Sequence, residues 1–162
     1  MKILSRLMLI ACLVLPFAAC KKAEGPVQTA SAPMSAPKND DINAWRTYLQ
    51  DIVPRYMGAG ANPPYVYLLP GESTPDFNDV YMRLAQKAKE DIGRGIVSGN
   101  LLAFASPASA KAADMVVEAF KDVPPGSMKG VKVLFIGQAA DSARVEAAVK
   151  PAGVNYVFVE AK

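Results

Sequence analysis

From Asp40 to the C-terminus, helical and strand patterns alternate four times, and that alternation limits the fold more than any other feature of the chain. Ile42, Trp45, Leu49, Ile52, Val53 and Tyr56 recur at helical spacing behind Asn39-Asp40 as the N-cap, with Pro54 expected to kink or end the helix before Gly58 and Gly60. Tyr65 to Leu69 reads as a strand stopped by Pro70-Gly71. Thr74-Pro75 supplies a capping side chain followed by proline at the first helical position, and Phe77, Val80, Tyr81, Leu84, Ala88 and Ile92 form the apolar stripe of a second helix ending at Gly93 and Gly95.

Leu101 to Ala105 is the second strand. Ser106 to Ser109 leads into a third helix that includes Met115, Val116, Ala119 and Phe120 and closes at Pro124-Pro125-Gly126. Val131 to Ile136 is the third strand. A fourth helix, capped by Asp141 or Ser142, ends before Pro151, and Val154 to Val159 is the last strand. Strands joined by helical connections are normally parallel, and the unbroken apolar runs LLAFA and VLFI suit strands covered on both faces. The expected fold is a small α/β sandwich: a four-stranded, mostly parallel sheet with helices on both faces. A sheet closing on an antiparallel hairpin, as in thioredoxin-like domains, is the rival. It fits less well, because a helix precedes the last strand and no CxxC exists.

The N-terminus is of another kind. Lys2 and Arg6 precede an uncharged run from Leu7 to Phe17 of about 11 residues, suited to a secretory signal and short of the ~20 that span a bilayer. The segment Pro16-Phe17-Ala18-Ala19-Cys20 resembles the lipobox of bacterial lipoproteins, with Phe17 where Leu, Val or Ile is usual. The resemblance covers the first twenty residues. It implies cleavage before Cys20, a diacylglycerol on its thiol and acylation of the new amine. Three acyl chains hold a protein at a membrane effectively permanently. Lys21, where Asp would retain a lipoprotein at the inner membrane, implies the periplasmic face of the outer membrane in a Gram-negative cell.

Residues 1–19 are thus expected to be the signal, and 20–39 the acylated cysteine and a disordered tether. The single domain is expected at 40–162. Lys21 to Asn39 is rich in Ala, Pro, Ser and Thr and poor in large apolar groups; its coil dimension is roughly 25 Å.

Composition excludes several chemistries. The chain has two cysteines and no histidine. Cys12 falls in the signal and Cys20 takes the lipid, so the domain has no thiol for disulfide, redox or metal chemistry and no imidazole for a nucleophile pair. No cofactor and no metal site are expected. Without Lys2 and Arg6, 16 basic residues face 15 acidic ones, and the basic stretch Lys121, Lys129 and Lys132 is interrupted by Asp122, a solvated surface rather than a nucleic-acid site. No phosphate-binding glycine motif is present; Ile136-Gly137-Gln138-Ala139 is a poor imitation.

Parallel strands gather their following loops at the carboxyl edge of the sheet, the usual ligand location in open α/β sheets. Thr74, Ser106, Ser109, Gln138 and Asp141 lie in those loops and are the candidate ligand-binding residues, suited to a small anionic ligand; the competing reading makes Thr74, Ser109 and Asp141 simple helix caps. Tyr65 and Tyr67 share one strand face and are core if a helix covers them, a binding strip if none does. The expected function is a membrane-anchored lipoprotein whose domain binds or scaffolds without catalysis. A small envelope enzyme using carboxylates or hydroxyls at the carboxyl edge, and a subunit of an envelope assembly, are the alternatives.

Overall fold

A computed structural model describes residues 32–59 and 61–162. The signal, Cys20, the tether as far as residue 31, and Gly60 lie outside the described residues. The elements run α1 (Ile42–Tyr56), β1 (Tyr65–Leu68), α2 (Phe77–Gly93), β2 (Leu101–Ala105), α3 (Ser109–Phe120), β3 (Lys132–Gly137), α4 (Ala139–Val149) and β4 (Asn155–Glu160), with a 3₁₀ turn at Lys150–Ala152 before β4. The four strands form one sheet in the order β1-β2-β3-β4, every pair parallel. The antiparallel-hairpin rival is therefore excluded.

Consecutive order has a strong consequence. Three successive right-handed crossovers, each moving one strand further in the same direction, place all three helices on one face. Ala88 and Ile92 of α2, Met115 and Val116 of α3 and Val145 and Val149 of α4 share one core on that face. On it a row of aromatics crosses the whole sheet, with Tyr67 beside Phe104, Phe104 beside Phe135 and Phe135 beside Phe158 in register. The Tyr67 and Phe104 rings stack at 4.8 Å, adding to the burial of their area. Tyr67 is thus core.

Of the described helices, only α1 covers the opposite face. Trp45, Tyr48, Leu49, Ile52 and Val53 press onto Leu101, Ala103, Ala105, Leu134 and Ile136, the inner strands. The edge strands are covered less: Val66 of β1 remains 42% exposed on this face. Tyr56 packs here, so it does not cluster with Tyr65 and Tyr67 as their sequence proximity suggests.

Several local expectations shift. The cap of α1 is Asp41, whose carboxylate accepts the N–H groups of Asn43 (2.9 Å) and Ala44 (3.4 Å). Pro54 is tolerated because the helix ends two residues later, where Met57 N–H returns to its carbonyl. Thr74 does not cap α2. Its backbone closes turns with Gly71 and Phe77, and the helix starts at Phe77 behind Asp76, which has left-handed backbone (φ 58°). Strands β3 and β4 lie one residue later than their sequence ranges, at Lys132–Gly137 and Asn155–Glu160.

The tether also ends earlier than Asn39. Met34 N–H donates to Asp51 at 2.9 Å, Ala36 is buried in the α1 core, and Trp45 Nε1 donates to the Asn39 carbonyl at 2.9 Å. Residues 34–39 therefore run as an extended strap beside α1, from its second half up to its N-terminus.

Candidate functional site

Because all strands are parallel, the loops after β1, β2 and β3 and the C-terminus after β4 meet at one edge. Ser106, Ser109, Gln138 and Asp141 come together there, while Thr74 sits apart. Ser109 is the first residue of α3 and is 4% exposed. Its hydroxyl donates to Asp141 Oδ2 at 2.6 Å and accepts Gln138 N–H at 2.8 Å. It caps nothing in its own helix; it joins the β3–α4 loop to α3.

Gly137 makes this approach possible. A Cβ there would lie 2.5 Å from Ser109 Oγ and 2.9 Å from the Phe135 ring. The glycine that resembled part of a phosphate loop is a spacer for a hydroxyl.

Asp141, the third residue of α4, does not cap that helix either. Its second oxygen accepts Arg144 Nε at 3.1 Å and Nη2 at 2.9 Å. Arg144 also donates to Asp114 and to the Ala110 carbonyl, clamping the start of α3 to α4. The bond from Asp114, with a further contribution from Asp141, raises the Arg144 pKa above its ordinary value against the opposing effect of burial. Asp141 is thereby held by a permanent cation and a hydroxyl.

Ser106 is similarly employed: its hydroxyl accepts Ala108 N–H at 2.8 Å and faces the Pro70 carbonyl at 3.5 Å. The strap adds a group that the sequence reading missed. Asp40 accepts the Ser73 hydroxyl at 2.6 Å, and its carboxylate packs over Gly71, where a Cβ would displace it. A shallow cleft of about 250 Å³ remains between the strap and the β2 and β3 ends, bordered by Lys38, Asp40, Ser106, Gln138 and Lys162. Thr74 lines a separate open hollow with Glu72, Asp76, Asp79 and Lys111. The spacing of Gly137 from a serine 28 positions earlier carried no local signal that could have revealed the pair.

No family model, no curated protein and no solved structure matches the chain.

The remaining arrangement is thus read from its own geometry. Among the described residues no buried side-chain polar atom lacks a partner, and no group of three or more His, Cys, Asp or Glu side chains is placed to hold a metal ion. A second ionic cluster joins α2 to β1, where Tyr67 donates to the buried Asp91 at 3.0 Å and the exposed Lys87 to the same oxygen at 2.7 Å. The Lys87 ammonium, helped by the Tyr67 hydroxyl, holds the Asp91 carboxyl below its ordinary value; burial, then the bond to Asp91, pushes the Tyr67 phenol well above its own.

An apolar hollow lies elsewhere, between α1 and the edge strand β1. It encloses about 430 Å³ and is lined by Leu49, Val53, Pro54, Pro64, Val66 and Leu68. It lies beside the outer edge of β1, with which no strand pairs among the described residues.

Proposed function

We propose that this chain is a membrane-anchored lipoprotein of the cell envelope, held by acyl chains on Cys20, whose α/β domain binds a partner protein rather than catalysing a reaction. In a Gram-negative cell its place is the periplasmic face of the outer membrane. The anchor rests on the lipobox-like Phe17-Ala18-Ala19-Cys20. The binding reading rests on one contrast. The hydroxyls of Ser106 and Ser109 and the carboxylate of Asp141 at the carboxyl edge are engaged within the domain, whereas the apolar hollow beside β1 ends on a strand edge that no other described strand pairs. Such an edge accepts an extended segment through backbone hydrogen bonds, with alternate side chains entering the hollow.

Two measurements test this. Metabolic labelling with palmitate should mark the wild type and not Cys20→Ala; an unlabelled wild type removes the anchor. A photo-crosslinking residue at Val66 should give a discrete adduct in cells, while the same residue at Val117, which is 37% exposed on α3, should give none. Equal patterns from both positions would remove the binding site.

A further inference from the structure

We infer that the edge of the sheet opposite the candidate site is a docking surface for an anionic lipid bilayer, and that it turns the carboxyl edge away from the membrane. This rests on the proposed acylation of Cys20. Two independent observations point to the surface: where the chain enters the domain, and where the uncompensated charge lies.

The strap passes Asp51 at Met34 and reaches the N-terminus of α1 at Asn39 and Asp41. It therefore climbs from the amino edge of the sheet to the carboxyl edge, so the described chain begins, at Ala32, on the side of the amino edge. Only residues 21–31 separate Cys20 from Ala32. Eleven residues of coil measure roughly 18 Å, and the same segment fully extended reaches at most about 40 Å. A domain of this length is about 36 Å across, from a radius of gyration near 14 Å. A relaxed tether leaving at the amino edge thus brings that edge to the bilayer first.

The amino edge is built from the loops 57–64, 94–100, 121–131 and 150–154. They carry Arg94, Lys121, Lys129 and Lys150 against one carboxylate, Asp122. Arg94 and Lys150 pair with Glu90 (3.5 Å) and Glu146 (3.6 Å), and Asp122 with Lys89 (3.3 Å). Lys121 and Lys129 have no ion pair among the described residues, and the Lys132 ammonium donates to the Tyr56 carbonyl rather than to a carboxylate. The loops of the carboxyl edge have the opposite balance, with Asp40, Asp41, Glu72 and Asp76 against Lys38 and Lys162.

An apolar contact lies within the basic edge. Val97 is 66% exposed, the most exposed large hydrophobic side chain among the described residues. Its loop is tied to the lysine loop by Gly99 N–H to the Gly130 carbonyl at 2.9 Å, next to Lys129. An exposed valine on a loop bonded to that of Lys129 suits the boundary between acyl chains and phosphates, where the apolar group inserts and the ammonium group stays at headgroup level.

The test uses the mature chain from residue 20 carrying Cys20→Ser, mixed with phosphatidylcholine vesicles with or without phosphatidylglycerol. Sedimentation with the vesicles should require phosphatidylglycerol and fall with added salt. Each lysine contributes roughly fivefold to partitioning, so Lys121→Gln with Lys129→Gln should lower it about 25-fold, while Lys38→Gln with Lys162→Gln should leave it unchanged. Equal sedimentation with and without phosphatidylglycerol, or equal loss from both pairs of variants, would overturn the inference. Palmitate labelling decides the anchor separately: a labelled wild type whose Cys20→Ser form ignores anionic vesicles keeps its anchor and loses this surface.

Discussion

Ser109 Oγ, at the first residue of α3, donates to Asp141 Oδ2 at 2.6 Å across 32 positions of sequence. The bond lies where the loops after β2 and β3 converge, and it converts two apparent site residues into a brace between helices. Ser109→Ala should leave Asp141 and the Gln138 N–H without that partner and destabilise the domain by about 1–2 kcal/mol in denaturant unfolding. Gly137→Ala, which drives a methyl group into Ser109 Oγ and the Phe135 ring, should cost about 1–3 kcal/mol. Because the two changes share one contact, the double variant should lose less than the sum of the singles.

Helix starts distinguish local sequence from structure. Asp41→Ala removes the acceptor of two backbone N–H groups and should cost about 1 kcal/mol. Thr74→Ala, at the position the sequence marks as the cap of α2, should change stability by less than about 0.5 kcal/mol. Thermal or denaturant melting of both variants checks this; a larger loss for Thr74→Ala would contradict the observed start of α2.

The Tyr67–Asp91–Lys87 cluster makes stability fall at both extremes of pH. Asp91 has a lower pKa folded than unfolded, so its contribution is complete above the ordinary value of 3.8 and is lost as pH falls below it. Tyr67 has a raised pKa folded, so its contribution is complete below 10.0 and is lost as pH rises past that value. Asp91→Asn should cost about 2 kcal/mol at neutral pH and flatten the acid limb of the stability profile. Tyr67→Phe should flatten the alkaline limb. Urea titrations across the pH range give both limbs.

Trp45 holds the strap through Nε1 and the Asn39 carbonyl. Trp45→Phe keeps an aromatic ring in the core and deletes that bond, and should cost about 1–2 kcal/mol. Limited proteolysis should then cut faster between residues 33 and 40, since the strap has few other ties to α1. An unchanged cleavage rate would show that Ala36 and Met34 suffice to hold it.

Most elements were legible from periodicity. Tyr81, Leu84, Ala88 and Ile92 of the α2 stripe face the three-helix core, and LLAFA is buried at every position. The parallel sheet followed from helical connections between strands. Strand edges and helix starts were less legible, because a cap depends on what else competes for the side chain. Asp141 is claimed by Ser109 and Arg144, and the backbone of Thr74 is spent on turns. The strap escaped composition altogether: Pro, Ala and Ser between residues 33 and 37 bury little by themselves and are held by the helix they border.

Local chemistry by itself determined that this chain alternates helices with buried strands, that its domain lacks thiol and imidazole, and that its first twenty residues resemble a lipoprotein signal. These properties depend on residue type and spacing along a few turns of chain. Tertiary structure decided that three helices share one face while α1 covers the other, that Ser109 and Asp141 brace two helices, and that Val66 is left beside an open hollow. Those outcomes depend on which distant groups meet once the strands take consecutive order, and no repeat along the sequence records such meetings.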